Sequence, residues 1–373
     1  MSTLTTPPRP LEGIRILDLS TNLPGPFASQ IFADLGAEVI MVEAPSGEPS
    51  RSKPNGLFYA GHRNKSSIVL NLKDEADRET ALSLVKKCDV VMESFRPGVV
   101  DRLGVGFDAV VAQQPRIVYL SISGYGQTSS RRDDPGHDIN YLAAAGGLSF
   151  SGHWDKAPAR SGIAFGDLGT SLYSAIAILA ALRNGERTGE PAFIDLSMTD
   201  VAIALTATRG GMRLEQTNDS QEHMWPTNDL FVSADGKALT IGAIEEHLWQ
   251  NLRATLAQFE PRFTDPRFDT EPSRRENGTE LVELLRTTFA QKSRAEWVEI
   301  MAETDTAISP VLTIAEAVDS DHARSREGLV QEKDGVRQVM LPFLWNGIQP
   351  GVLQSVGPEQ GEHQEEILRW LSS

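Results

Sequence analysis

Residues 14–43 read IRILDLSTNLPGPFASQIFADLGAEVIMVE. Ile14–Leu19 (IRILDL) is a short apolar run that predicts a strand. Pro24–Leu35 (PGPFASQIFADL) predicts a helix. Its prolines preset the backbone angle of a first helical turn and lose no N–H the helix would use, and Gly36 ends it. Glu38–Glu43 (EVIMVE) predicts the next strand. Strand, helix and strand in so short a span form the repeating unit of a parallel sheet.

The same alternation continues outward. Ser67–Leu72 (SIVLNL), Val90–Glu93 and Ile117–Ile122 (IVYLSI) read as further strands, with a helix at Asp74–Lys87 whose apolar residues follow helical spacing. Leu168–Leu182 (LGTSLYSAIAILAAL) is apolar nearly all round, which predicts a buried helix. Ala192–Leu196 (AFIDL) reads as a strand and Thr199–Thr208 as a second buried helix. The polar stretch Glu215–Asn228 reads as a linker or long functional loop. After it, Phe231–Ala243 reads as two strands around Asp235-Gly236, followed by helices at Glu245–Leu256, Gly278–Phe289 and Arg294–Glu303. The expectation is an α/β chain in three parts. Residues 1–215 form a large domain with a parallel sheet, residues 226–318 a small α+β domain, and residues 319–373 a return segment with a terminal helix that packs on the large domain.

Composition excludes some partners. The chain has 373 residues, with 35 Lys and Arg against 51 Asp and Glu, a formal net charge of −16. Nucleic-acid polymers are not expected as partners, because phosphate neutralisation needs a basic surface. Docking on anionic membranes is not expected for the same reason. No run of about 18 apolar residues is found, so a membrane-spanning helix is not expected. The N-terminal stretch MSTLTTPPRPLEG has no apolar leader pattern. One cysteine, Cys88, rules out an intramolecular disulfide and a cysteine-based zinc site. It fits a reducing cytoplasmic compartment and reads as a core residue.

The common cofactor signatures are missing. The turn after the first strand, Asp18-Leu-Ser-Thr-Asn-Leu-Pro-Gly-Pro, lacks the glycine fingerprint of dinucleotide sites. There is no Walker loop, no HExxH and no G-x-S-x-G elbow, and the seven histidines have no metal-ligand spacing. No metal is expected.

The chemistry concentrates at Pro135–Leu142 (PGHDINYL), which follows the strand end Ser121–Gln127. Ligands of α/β sheets sit beyond the carboxyl ends of strands. His137 and Asp138 on a turn there reach one cleft. Asp138 also reads as a cap of the helix that follows, Asp167 as the N-cap of the buried helix, and Glu245 as an acidic residue opening a helix after a strand.

The chain as a whole resembles the family III CoA-transferase (CaiB/BaiF) superfamily, which includes the α-methylacyl-CoA racemases. The resemblance rests on Leu11-Glu-Gly-Ile-Arg-Ile-Leu-Asp-Leu, Asp34-Leu-Gly-Ala-Glu-Val-Ile, Arg63-Asn-Lys-Ser-Ser-Ile, Phe95-Arg-Pro-Gly-Val, Ser123-Gly-Tyr-Gly-Gln, Gly136-His-Asp-Ile-Asn-Tyr, Thr188-Gly-Glu-Pro-Ala-Phe-Ile-Asp and Gly242-Ala-Ile-Glu. It implies a Rossmann-like large domain, a small domain, an interlocked homodimer and an acyl-CoA substrate. Coenzyme A then arrives as part of the substrate, and no permanently bound cofactor is implied. In transferases of this kind the aspartate matching Asp138 is expected to carry the acyl group as an anhydride and then CoA as a thioester. In racemases the residues matching His137 and Asp167 are the acid/base pair, with the glutamate matching Glu245 in support.

GHDINYLA, GAIE and Asp305-Thr-Ala-Ile-Ser-Pro-Val-Leu are similar to the racemase branch. Against that, no glycine run follows Asp167, and His223-Met-Trp-Pro-Thr-Asn replaces a racemase-like segment. The expected reaction is racemisation of a 2-methylacyl-CoA, with CoA transfer as the alternative. Backbone N–H groups near Gly136–Asp138 are the expected donors to an enolate oxygen. Arg96 matches a CoA-contacting position, and Arg63 and Lys65 are further candidates for the phosphates. Arg51 reads as an ordinary surface cation.

Overall fold

A computed structural model describes residues 7–53, 56–154, 159–210 and 224–373. The chain divides into two compact units. The first comprises Met1–Ala145, Ile163–Leu205 and Val318–Ser373, and the second Gly146–Gly162 and Thr206–Ala317. Residues 146–162, which the sequence reading assigns to the large domain, belong to the second unit. Most of the polar stretch 215–228 lies outside the described residues.

The first unit is built on six parallel strands: β1 (Arg15–Asp18), β2 (Glu38–Glu43), β3 (Ser66–Val69), β4 (Val90–Glu93), β5 (Val118–Ser123) and β6 (Ala192–Ser197). Their order is β3-β2-β1-β4-β5-β6. From β1 to β5 both faces are largely buried, so these strands read as nearly continuous apolar runs whose side chains alternate between two cores, whereas the edge strand β6 leaves Phe193 exposed on one face. Leu17, Ile40, Val42, Val91 and Tyr119 fill one core, and Ile16, Val39, Val90, Met92 and Leu120 the other. The order reverses between β1 and β4, and the crevice at their carboxyl ends is where such a sheet receives a ligand.

The helix Pro24–Asp34 begins with proline, as expected, and Gly36 follows it at φ +100°. Gly25 stands so close to Ser20 that an added Cβ would lie 2.1 Å from its Oγ. This lets the chain turn from β1 into the helix without displacing Ser20.

The helix Phe165–Thr188 corrects one expectation. It packs on the Pro24–Asp34 helix, where Ser171 Oγ donates to the Pro24 carbonyl at 2.7 Å and Ala175 and Ile178 share a core with Ala28 and Phe32, while Gly169 stands against Val201 and Leu205 of the following helix. Its opposite face, with Leu172 54%, Leu179 40% and Ile176 60% exposed, is uncovered in the single chain. Uniform apolarity therefore does not mean that this chain buries the helix all round. Among the described residues it is also the one helix long and apolar enough to cross a membrane by length and composition. The helix Met198–Gly210 is likewise buried at Val201 and Ala202 and exposed at Ile203.

The second unit carries an antiparallel sheet of β7 (Asn228–Val232), β8 (Ala238–Gly242) and β9 (Ile308–Pro310). The first two are the expected pair around Asp235-Gly236; the third is three residues long, too short to show in the pattern. Its core gathers Trp249, Trp297, Phe263, Phe268 and Phe289. Two of the buried indoles donate to backbone, Trp249 to the Phe268 carbonyl and Trp297 to the Phe289 carbonyl, each at 2.8 Å.

On its return to the first unit, the chain forms a hairpin of β10 (Val330–Lys333) and β11 (Val336–Val339). Asp334 and Gly335 both have positive φ, the turn that an Asp-Gly pair favours. The terminal helix Gln364–Ser372 then places Ile367 and Trp370 against the core on the Leu17 side of the sheet.

Candidate active site

The loops after β1, β4 and β5 enclose a cavity of about 520 Å³ within the first unit. Thr21 and Asn22 come from the first loop, Ser94, Phe95 and Arg96 from the second, and Gly136, His137 and Tyr141 from the third. Asp167 enters from the first turn of the Phe165–Thr188 helix. Lys53 and Arg132 also line the cavity, so with Arg96 three cations meet there despite the net charge of −16. A smaller hollow of about 230 Å³ lies at the ends of β1, β2 and β3. It shares Thr21 and Phe95 with the first and adds Asn71 and Lys73.

The turn that presents His137 is fixed from three sides. The Tyr141 hydroxyl donates to the Gly136 carbonyl at 2.7 Å. Burial pushes this phenol up to about 12, so it remains a donor. Side chains at Gly124 or Gly136 would come within 2.7 Å of the Tyr141 ring, which is why both positions are bare. The His137 N–H donates to Asn140 Oδ1 at 3.0 Å. That amide is engaged and is not free to act as the oxyanion donor expected near Gly136–Asp138.

Asp138 departs from the reading that it caps the helix it begins. Its Oδ1 accepts the N–H groups of Gly166 at 2.7 Å and Asp167 at 3.2 Å. It therefore caps a helix, but the distant Phe165–Thr188 helix rather than the one it begins. Gly166 permits the approach, since a Cβ there would lie 2.9 Å from Oδ1. Asp138 is drawn away to this cap, whereas Asp167, read from sequence as the N-cap, faces the cavity. Burial first, and the adjacent Asp138 carboxylate second, push Asp167 up to about 6, against a lowering by His137. A carboxyl group that titrates near neutrality, beside an imidazole in a cationic cavity, can exchange protons with a bound anion.

The other predicted residues separate. Arg96 is exposed at the cavity edge. Arg63 and Lys65 do not line the cavity: they are 6% and 2% exposed. Arg63 forks onto Asp34, with Nη2 2.6 Å from Oδ2, and also donates to Gln338. Lys65 Nζ bonds Asp18 at 3.2 Å, the Pro26 carbonyl at 2.9 Å and Ser29 Oγ at 2.7 Å. Buried acids draw both cations into the structure, because an unpaired carboxylate in that interior is far more costly than an exposed lysine. Arg51 likewise lies on Glu43 at 2.7 Å instead of being free. Glu245 is the exposed N-cap residue of the helix Glu246–Leu256 in the second unit. Cys88 is buried, and burial pushes its thiol up to about 12, so it is inert as a nucleophile.

Tyr141, Arg132 and Lys53 are among the cavity residues that sequence pattern does not mark. Tyr141 stands inside the quoted motif, four residues from His137, where a helical turn brings it back over the glycine. Arg132 belongs to a charged run that looks like solvated surface. Lys53 carries no local signal.

Comparison with known proteins agrees with the architecture. A crystal structure of a CAIB/BAIF family protein from Brucella suis superposes with a TM-score of 0.88 at 28% identity, covering 98% of this chain and 100% of its own. An acyl-CoA transferase of Fusarium pseudograminearum is 33% identical over 96% of this chain and 84% of that protein. The human α-methylacyl-CoA racemase is 32% identical over 96% of this chain and 92% of that protein. Relatives of both reaction types therefore match at nearly the same identity. The family model for CoA-transferase family III matches residues 11–364, and the chain belongs to that family.

Proposed function

We propose that this protein racemises or epimerises a 2-methylacyl-CoA. The observation that supports this reading is the placement of two proton-transfer groups, His137 and Asp167, on one cationic cavity. A thioester acidifies its α-hydrogen. One group takes that proton, leaving an enolate, and the other returns a proton to the opposite face. Asp167 acts as the base when ionised and as the acid when protonated, with His137 in the complementary role. Arg96, Lys53 and Arg132 hold the CoA phosphates, and the hollow sharing Thr21 and Phe95 extends the same binding track. Neither step calls on a resident metal or cofactor. The role of Glu245 rests on the family resemblance alone.

A second reading is CoA transfer through an aspartyl anhydride and thioester. It is favoured by the Fusarium relative and by the open carboxylate of Asp167. Asp138 is the weaker nucleophile for that route, because two amides already hold its Oδ1. The nucleophile in this cavity would be Asp167.

The deciding experiment incubates one enantiomer of a 2-methylacyl-CoA in D₂O without added acid. Racemisation predicts deuterium at the α-carbon and loss of chirality, both abolished in His137→Ala and Asp167→Asn. No exchange, with CoA moving only when a second carboxylic acid is supplied and moving still in His137→Ala, would establish the transfer reading instead. We also propose that the chain acts as a homodimer, with a second copy covering the apolar face of the Phe165–Thr188 helix. A cytoplasmic setting fits its single, buried thiol.

A further inference from the structure

The loop that carries Arg96 is held by a buried acid. Glu93, the last residue of β4, is 1% exposed. Its Oε2 accepts the Phe95 N–H at 2.7 Å, and its Oε1 takes the Ser121 hydroxyl in a short hydrogen bond. Ser121 Oγ in turn accepts Gln127 Nε2 at 2.9 Å. The Gln127 N–H reaches Asp195 at 3.0 Å, so the relay joins the turns after β4 and β5 to β6. On the other side, Ser94 Oγ accepts the Thr21 N–H at 2.9 Å, fixing the same loop to the turn after β1.

Among the described residues no cation pairs with Glu93. Its titratable neighbours are acids and a phenol: Asp101, Asp108 and Tyr119 share its 170 Å³ hollow. Asp195 adds to the unfavourable field from β6. Asp18, on the adjoining β1, is engaged by Ser29 and Lys65. Burial is the largest cause, and with the neighbouring acids it pushes Glu93 up to about 7.

Both carboxylate oxygens of Glu93 face donors. A proton on Oε2 opposes the Phe95 N–H. A proton on Oε1 points at Ser121 Oγ, whose own hydrogen then has only the Gln127 NH₂ group before it. Either way one bond of the relay is lost, and the full set forms only when Glu93 is ionised.

We propose that Glu93 is a positioning residue for ligand binding: its carboxylate holds the turn 95–97, and so Arg96, where it meets the phosphates of CoA, and protonation of Glu93 releases that turn. The inference rests on the CoA-binding reading above. It adds to that reading a proton-sensitive control of affinity, remote from the groups that exchange protons with the substrate.

The test is the dissociation constant of CoA, measured by calorimetry from about pH 5.5 to about pH 8.5, for the wild type and Glu93→Gln. Using the ratio of the two constants cancels the titration of the ligand's own phosphates. The variant should bind about tenfold more weakly at the alkaline end, the loss expected for one charge-assisted hydrogen bond. The ratio should fall toward one at the acid end, with its midpoint near Glu93's own titration. In an Arg96→Ala background Glu93→Gln should have no further effect. A ratio independent of pH, or a Glu93→Gln effect that persists undiminished without Arg96, overturns the proposal. Should Glu93→Gln fail to fold, Ser121→Ala tests the same relay. It should weaken CoA binding at the alkaline end and not at the acid end, and unchanged binding at both overturns the proposal. A wild type that binds no CoA at any pH overturns the functional reading together with this one. Binding with a flat ratio overturns this one alone.

Discussion

Asp138 and Asp167 show how one aspartate sets the chemistry of another. Asp138 is fixed by the two amides it caps, and its charge helps to keep a proton on Asp167. Replacing Asp138 with Ala removes the cap and should cost about 1–2 kcal/mol in urea unfolding. The same change removes a like charge, so Asp167 should ionise at lower pH. The acid limb of kcat/KM, expected near pH 6 in the direction where Asp167 is the base, should then move down. Glu93 gives a second residue-scale prediction. Its folded-state value of about 7 lies above the ordinary 4.5, so the folded protein holds the proton more tightly than the unfolded chain. The stability contributed by Glu93 is therefore complete below about pH 4.5 and is lost as pH rises through about 7. Glu93→Gln should match the wild type in denaturant titrations at acid pH. At about pH 8 it should exceed the wild type by up to roughly 3 kcal/mol, even as it binds CoA less tightly.

At the scale of elements, the Phe165–Thr188 helix has two apolar faces with different partners. On the inner face Ser171 and Ala175 meet the Pro24–Asp34 helix, and Gly169 is bare because Val201 and Leu205 lie close against it. The outer face holds Leu172, Tyr173, Ile176 and Leu179, each at least 39% exposed. Full burial of such side chains is worth about 1.5–3 kcal/mol each, a strong drive toward association. Light scattering should report a dimer for the wild type. Ile176→Asp should shift it to monomer or to aggregate, because a carboxylate cannot be buried there unpaired. A wild type that stays monomeric at high concentration would refute the homodimer.

At the scale of the whole molecule, the returning chain is tied to the sheet by buried polar groups. Arg63 joins Asp34 at the end of the Pro24–Asp34 helix to Gln338 on β11, while Asn64 bonds Asp34 and the Val352 carbonyl. Removing one partner of such a buried pair is costly because the other charge is left without compensation. Arg63→Ala should lose about 3–5 kcal/mol of stability, and Asp34→Asn in the same chain should recover part of it. The folded Arg63→Ala protein should bind CoA with unchanged affinity. A selective loss of CoA affinity without loss of stability would return Arg63 to the ligand site.

The six-strand α/β unit, the antiparallel pair around Asp235-Gly236 and the location of His137 beyond a strand end are all legible in the chain before it folds. These follow from hydrophobic period and turn chemistry, which act between near neighbours in the chain. How the charged groups are used emerges on folding, since it depends on which partners are brought together from afar. Lys65 and Arg63 look like phosphate ligands until Asp18 and Asp34 are seen beside them. Asp138 looks like the cap of its own helix until the Gly166 and Asp167 amides arrive from 28 and 29 residues away. Glu93 looks like the end of a strand until burial leaves it with donors on both oxygens and no counter-ion among the described residues. Burial makes an unsatisfied charge expensive, and so long-range packing, not local sequence, assigns each ionisable group its partner.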